Sequence, residues 1–182
     1  TDLLDKYGAS SPEAKLVNHM MDYAAYSQIV FDYHTDTLVK NPSQCVNSDL
    51  TVVRAAVENM DCFSADGDYP DGIRFYGCSL VLNSSIEYRM YFAADSPALA
   101  AQYGLTKQNG SGLYYFDDVT SSITQLNQNK EYHIGDAEIV SNPMNYVKMV
   151  VNQDGEDDLI NLMRALYDYY LAAMEYSACG TH

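Results

Sequence analysis

The chain has 182 residues, a length that predicts one domain able to bury a core without metal or disulfide staples. Hydrophobic residues make up 47%, which excludes a disordered chain, and no apolar run approaches the ~20 residues of a membrane span. Twenty-five acids against 10 bases give a formal charge of −15, a field that repels polyanions; nucleic acid is excluded as a partner and an anionic membrane surface is disfavoured.

In chain order, "TDLLDKYGAS" reads as the end of a helix stopped near Gly8. It predicts that the chain is a piece of a longer extracellular protein, with any signal peptide outside it. Ser10 or Ser11 then caps a helix over 12–33, with Pro12 in its first turn and Leu16, Met20, Tyr23, Ser27 and Phe31 at three- and four-residue steps. "HTDTLVKNPSQCVNSD" is turn-rich connection. Asp49 is placed to cap "DLTVVRAAVENM", whose β-branched run leaves helix and strand both open. "SADGDYPDG" reads as a loop.

Strands follow at 73–82, 85–93, 113–118 and 131–140. A short loop from Asn83 to Ser85 sets Leu82 opposite Ile86 and gathers the apolar side chains on one face. Asn142 and Pro143 open a further helix. Leu159, Leu162, Met163, Leu166, Tyr170 and Ala173 stripe a last helix over 157–177. The order predicts a single α+β domain over 1–182: a small antiparallel sheet of hairpins packed against a long N-terminal helix and a C-terminal helix pair.

Four stretches carry a resemblance: "AKLVNHMMDYAAYSQIVFDYHTDTL", "DGIRFYGCSLVLNSSIEYRMYF", "SNPMNYVKMVV" and "LINLMRALYDYYLAAMEYS". In this order they resemble the uncharacterised C-terminal α+β module of large secreted or cell-surface proteins of anaerobic gut Firmicutes. Those proteins carry leucine-rich or bacterial Ig-like repeats, or dockerins. The family hairpin reads Tyr-Tyr-Gly-Ser-Ser-Leu-x-Leu; here it is Phe75-Tyr76-Gly77-Cys78-Ser79-Leu80-Val81-Leu82. The chain departs at Cys78, where a small hydroxyl residue is usual, and lacks the strands that precede the first helix in the family. The resemblance implies an extracellular accessory role and no catalytic site.

Chemistry-bearing motifs are few. Asn152, Asp154 and Gly155 fit positions 3, 5 and 6 of a calcium loop. Position 1 falls on Val150 and position 12 on Asn161, neither of which supplies a carboxylate, so a helix–helix turn is favoured. His19, His34, His133 and His182 share no ligand spacing. Cys45, Cys62, Cys78 and Cys179 form no CxxC pair; free thiols are favoured, and a Cys45–Cys62 bridge stays open. GxSxG, Walker, GxGxxG and HExxH motifs are absent, and the pairs Asp117-Asp118 and Asp157-Asp158 read as solvated charge. No metal or cofactor is called for.

Tyrosine is the functional signal: 17 Tyr, five Phe and no Trp. Tyr23, Tyr26 and Tyr33 fall on the first helix, and Tyr167, Tyr169, Tyr170 and Tyr176 on the last. Strand alternation puts Glu87, Arg89 and Tyr91 on the face opposite Tyr88, Met90 and Phe92, and sends Tyr114 and Tyr115 to opposite sides. Glu87, Arg89, Tyr91, Tyr114 and Tyr115 are the candidate ligand-binding residues. The reading is a non-catalytic module, extracellular or on a cell surface, for adhesion or for binding a polysaccharide or a host or bacterial surface protein. A structural or protein-interaction module without a small-molecule ligand is the alternative, and an enzyme ranks last.

Overall fold

The computed structural model describes residues 8, 10–82, 85–120, 122–155 and 157–180. It is mixed α and β, as the element order predicts. The chain divides into two compact units, a helical one from Thr1–Asn59 with Val147–His182 and a sheet unit from Met60–Tyr146. The predicted helix end before Gly8, the turn residues Asn83 and Ser84, and His182 lie outside the described residues.

In the helical unit, α1 runs Pro12–Val30, with Ser11 Oγ accepting from the Ala14 amide at 3.2 Å. It stops three residues short of the predicted end. The Asp32 amide donates to Ile29 O and the Tyr33 amide to Gln28 O, the two bonds of a Schellman cap. Asp32 sits at φ 50°, in the left-handed place glycine usually takes. α2, Leu50–Glu58, settles the open reading of 49–60 as helix: Asp49 caps it, and Leu50, Val53 and Val57 face inward at helical spacing.

α1 packs along α5, Asp158–Cys179, whose cap is Asp157. Tyr23 stacks on Tyr169 with centroids 5.9 Å apart, and Lys15 meets Glu175 at 2.8 Å, so the two helices run antiparallel. The intervening loop, residues 31–49, is tied down by buried polar groups on both. The Gln28 amide donates to His34 O and Thr37 O and accepts from Val39 N–H. Asp168 on α5 accepts from Ser48 N–H and Oγ–H.

The sheet unit holds two antiparallel sheets. One orders β1 (Phe63–Asp66), β7 (Ala137–Ser141) and β6 (Lys130–Ile134) as β1-β7-β6. The other takes β2 (Ile73–Leu82), β3 (Ile86–Ala94), β4 (Lys107–Gln108) and β5 (Tyr114–Thr120) in the order β2-β3-β5-β4. Leu82 faces Ile86, the register the alternation predicts. The single predicted strand at 131–140 is a hairpin instead. Ile134 pairs Ala137 around Gly135 and Asp136, and Gly135 takes φ 61°, the left-handed value such two-residue turns demand.

Tyr88, Met90 and Phe92 of β3 enter the core with Ile134 and Ile139 of the β1-β7-β6 sheet and Ala100 of α3, Pro97–Gln102. The sequence reading covers this face with the long helices; the cover seen within the unit comes from β6, β7 and α3. Strand β1, read as loop, completes the β1-β7-β6 sheet. α4, Met144–Val151, begins at the predicted place, with Asn142 Oδ1 accepting from the Met144 amide at 2.9 Å.

Gly67 ends β1 at φ 76°, and a Cβ there would lie 2.3 Å from the Asp136 carbonyl oxygen. Gly67→Ala is therefore expected to lose about 2 kcal/mol, from positive-φ strain and the displaced β6–β7 turn, read as a lower denaturant midpoint at unchanged slope.

Candidate functional site

The face of β2-β3-β5-β4 turned away from the unit's core carries most of the predicted residues. Period-2 alternation along β3 puts Glu87, Arg89 and Tyr91 there, and cross-strand pairing brings their neighbours. Arg89 stands opposite Asp117 and Ser79, Tyr91 opposite Tyr115 and Gly77, and Lys107 of β4 opposite Tyr115. The rings of Tyr91 and Tyr115 lie 5.6 Å apart, tilted by 54°. The Arg89 guanidinium sits 4.8 Å over the Tyr115 ring while its Nε donates to Glu87 Oε1 at 2.5 Å. That carboxylate bond, first, holds Arg89 above its ordinary pKa. Tyr91 OH shares a hydrogen bond with Ser79 Oγ at 3.1 Å, which fixes the ring. Lys107 bonds Asp117.

Tyr114 does not join them. It pairs with Phe92 on the other side of the sheet and is 8% exposed within the core. Its place is taken by a residue the sequence reading left out. β2 slips register between Phe75 and Gly77, and Tyr76 is the extra residue of that bulge. Phe75 packs into the core, so Tyr76 projects to the opposite face, where it is 69% exposed. Gly77, at φ 156° with nothing within 4 Å of an added Cβ, leaves the space beside Tyr91 open. A Tyr-Gly pair inside an alternating strand is the sequence signal for such a bulge.

Three neighbouring strands thus present Tyr76, Tyr91 and Tyr115 side by side, at a strand spacing of about 4.8 Å. Ion pairs Glu87–Arg89 and Lys107–Asp117 flank the last two. Such a face offers rings for stacking and a fixed lattice of donors and acceptors.

Asp118 points to the face opposite Asp117 and pairs with Lys130 at 2.6 Å, so the two diverge instead of flanking one bond. Among the described residues, no cluster of three metal-ligating side chains occurs. In the would-be calcium loop, Arg54 donates to Val151 O at 2.5 Å and Gln153 O at 2.7 Å, setting a fixed positive charge against the turn. Asn161 accepts from Arg164. Among the described residues the four cysteines form no disulfide. Burial first, then the Asp22 carboxylate, push Cys45 up to about 11, which keeps it protonated and unreactive at neutral pH. No family model, curated protein or solved structure matches the chain.

Proposed function

We propose that this chain is a non-catalytic accessory module of a bacterial secreted or cell-surface protein. In this reading it attaches to carbohydrate through the Tyr76–Tyr91–Tyr115 face. The observation that carries it is the row of three tyrosines on adjacent strands, with paired charges beside it. The apolar face of a sugar ring stacks on an aromatic ring, and its hydroxyls bond to oriented carboxylate and guanidinium groups. The charged groups on this face are already paired and the chain carries −15, so a neutral polysaccharide fits better than an acidic one. The resemblance to modules of gut Firmicutes surface proteins supports the extracellular setting.

Calorimetric titration against soluble neutral glucans, xylans and mannans tests this. One class is expected to bind, and Tyr76→Ala and Tyr91→Ala each to weaken it about tenfold. No affinity for any of them ends the carbohydrate reading. A protein partner is the second reading, favoured by Val119, 56% exposed on the same face. It predicts that Val119→Asp abolishes capture of a surface protein.

A further inference from the structure

The tied-down loop of residues 31–49 leaves a cleft of about 390 Å³ against α1, within the range of about 300–1,000 Å³ usual for small-molecule sites. α1 contributes Lys15, Asn18, His19 and Asp22, whose steps of three and four place them on one stripe. The loop contributes Lys40, Gln44 and Val46.

One carboxylate lines this cleft, and its oxygens are occupied. Asp22 is 1% exposed; Oδ1 accepts from Lys40 Nζ and Oδ2 from the Val46 amide at 3.2 Å. The rest of the polar lining can donate. The side-chain amides of Asn18 and Gln44 have no hydrogen bond among the described residues. Lys15 reaches Glu175 at 2.8 and 3.1 Å in a pair 42% and 45% exposed, a contact that a ligand displaces at little cost. His19 Nδ1 is shielded from solvent without a hydrogen-bond partner, 3.9 Å from Asp22 Oδ2. The side chain as a whole is 24% exposed, so the remainder of the ring is its open part. Anchoring of the loop accounts for Asp22 and Lys40. It gives no role to the two free amides or to the histidine.

We propose that this cleft binds a small molecule through an oxyanion, a carboxylate or a phosphate group. In a chain of charge −15, two lysines, an imidazole and two amides surround one cavity whose lining acid is capped. The anion's oxygens accept from Asn18, Gln44 and Lys15. His19, with Nδ1 turned to Asp22, presents the open edge of its ring to the cleft. This site is separate in sequence and chemistry from the tyrosine face and does not depend on it.

The test is an NMR titration of the whole chain with inorganic phosphate in one arm and malonate in the other, at constant ionic strength set with chloride. Saturable shifts of the Asn18 and Gln44 side-chain amides are expected in at least one arm, with half-saturation near 1 mM or below. Saturation with phosphate alone assigns a phosphate ligand, and with malonate alone a carboxylate. Gln44→Ala is expected to weaken binding about fivefold, and Glu175→Gln, which releases Lys15, to tighten it about threefold. Linear shifts that chloride reproduces, or no saturation by about 10 mM in either arm, overturn the proposal. So does a Glu175→Gln variant with unchanged affinity.

Discussion

Asp168→Ala is expected to destabilise the helical unit by about 3 kcal/mol. Asp168 sits in the middle of α5, 3% exposed, and both oxygens work on one residue of the loop. Ser48 N–H donates to Oδ2 at 2.7 Å and Ser48 Oγ–H to Oδ1 at 2.6 Å. One turn earlier, Arg164 donates to Ser48 O at 3.0 and 2.7 Å. Ser48 is gripped at every polar atom, immediately before Asp49 caps α2. Truncation strands two donors at about 1–3 kcal/mol each and leaves Arg164 without its neighbouring negative charge. Ser48→Ala removes the hydroxyl bond alone and is expected to lose about 1 kcal/mol. Guanidinium unfolding followed by near-UV circular dichroism separates the two. An Asp168→Ala midpoint matching that of the unaltered chain would contradict this account of the clamp. The clamp also shapes the cleft, because the loop it holds is one of the cleft's walls, so the same variant is expected to blunt anion binding.

What the sequence reveals of this molecule follows the range of the interactions involved. Caps are local: Ser11, Asp49 and Asn142 bond to amides two or three residues away, so a reader of the chain finds them, whereas Asp157, read as solvated charge, is a fourth cap that the reading misses. The β2–β3 register is nearly as local, since a short turn and the alternation of apolar residues fix Leu82 against Ile86. Alternation also places Glu87, Arg89 and Tyr91 together. It sends Tyr114 and Tyr115 apart but cannot say which goes inward; that is decided by Phe92, which stands opposite Tyr114. Strand β1 is hidden because all four of its residues are exposed. Its only signal is pairing with β7, some 75 residues on, from Phe63 against Ser141 to Asp66 against Glu138. Half of the cleft is legible, as the polar stripe Lys15, Asn18, His19 and Asp22. The other half is not, because nothing local says that Lys40 and Gln44 return to meet it.

The sheet unit is expected to lose stability steeply above pH 10, and Tyr88→Phe to flatten that loss. Tyr88 is 1% exposed, and its hydroxyl meets Ser141 Oγ at 2.8 Å and Asn145 Nδ2 at 3.0 Å. Burial, and then the neighbouring Cys78, hold that hydroxyl protonated far above its ordinary range. An unfolded tyrosine releases its proton near pH 10. Below that value both states keep the proton and the hydroxyl's contribution is fully present. Above it the unfolded chain binds fewer protons than the folded one, so unfolding becomes easier by about 1.4 kcal/mol per pH unit for this residue. Tyr132 is raised too, by burial and then by Asp118, and Cys78 by burial, so the loss begins near pH 9 and deepens. At neutral pH, Tyr88→Phe costs about 1–2 kcal/mol, because Asn145 and Ser141 lose a shared partner. Between about pH 10.5 and 12 the variant's stability is expected to fall more slowly than that of the unaltered chain by about 1.4 kcal/mol per unit, until the two curves converge. Guanidinium unfolding at a series of alkaline pH values measures both slopes. Parallel curves would mean that the buried phenol ionises as readily folded as unfolded, and that the Tyr88–Ser141–Asn145 cluster is open to water.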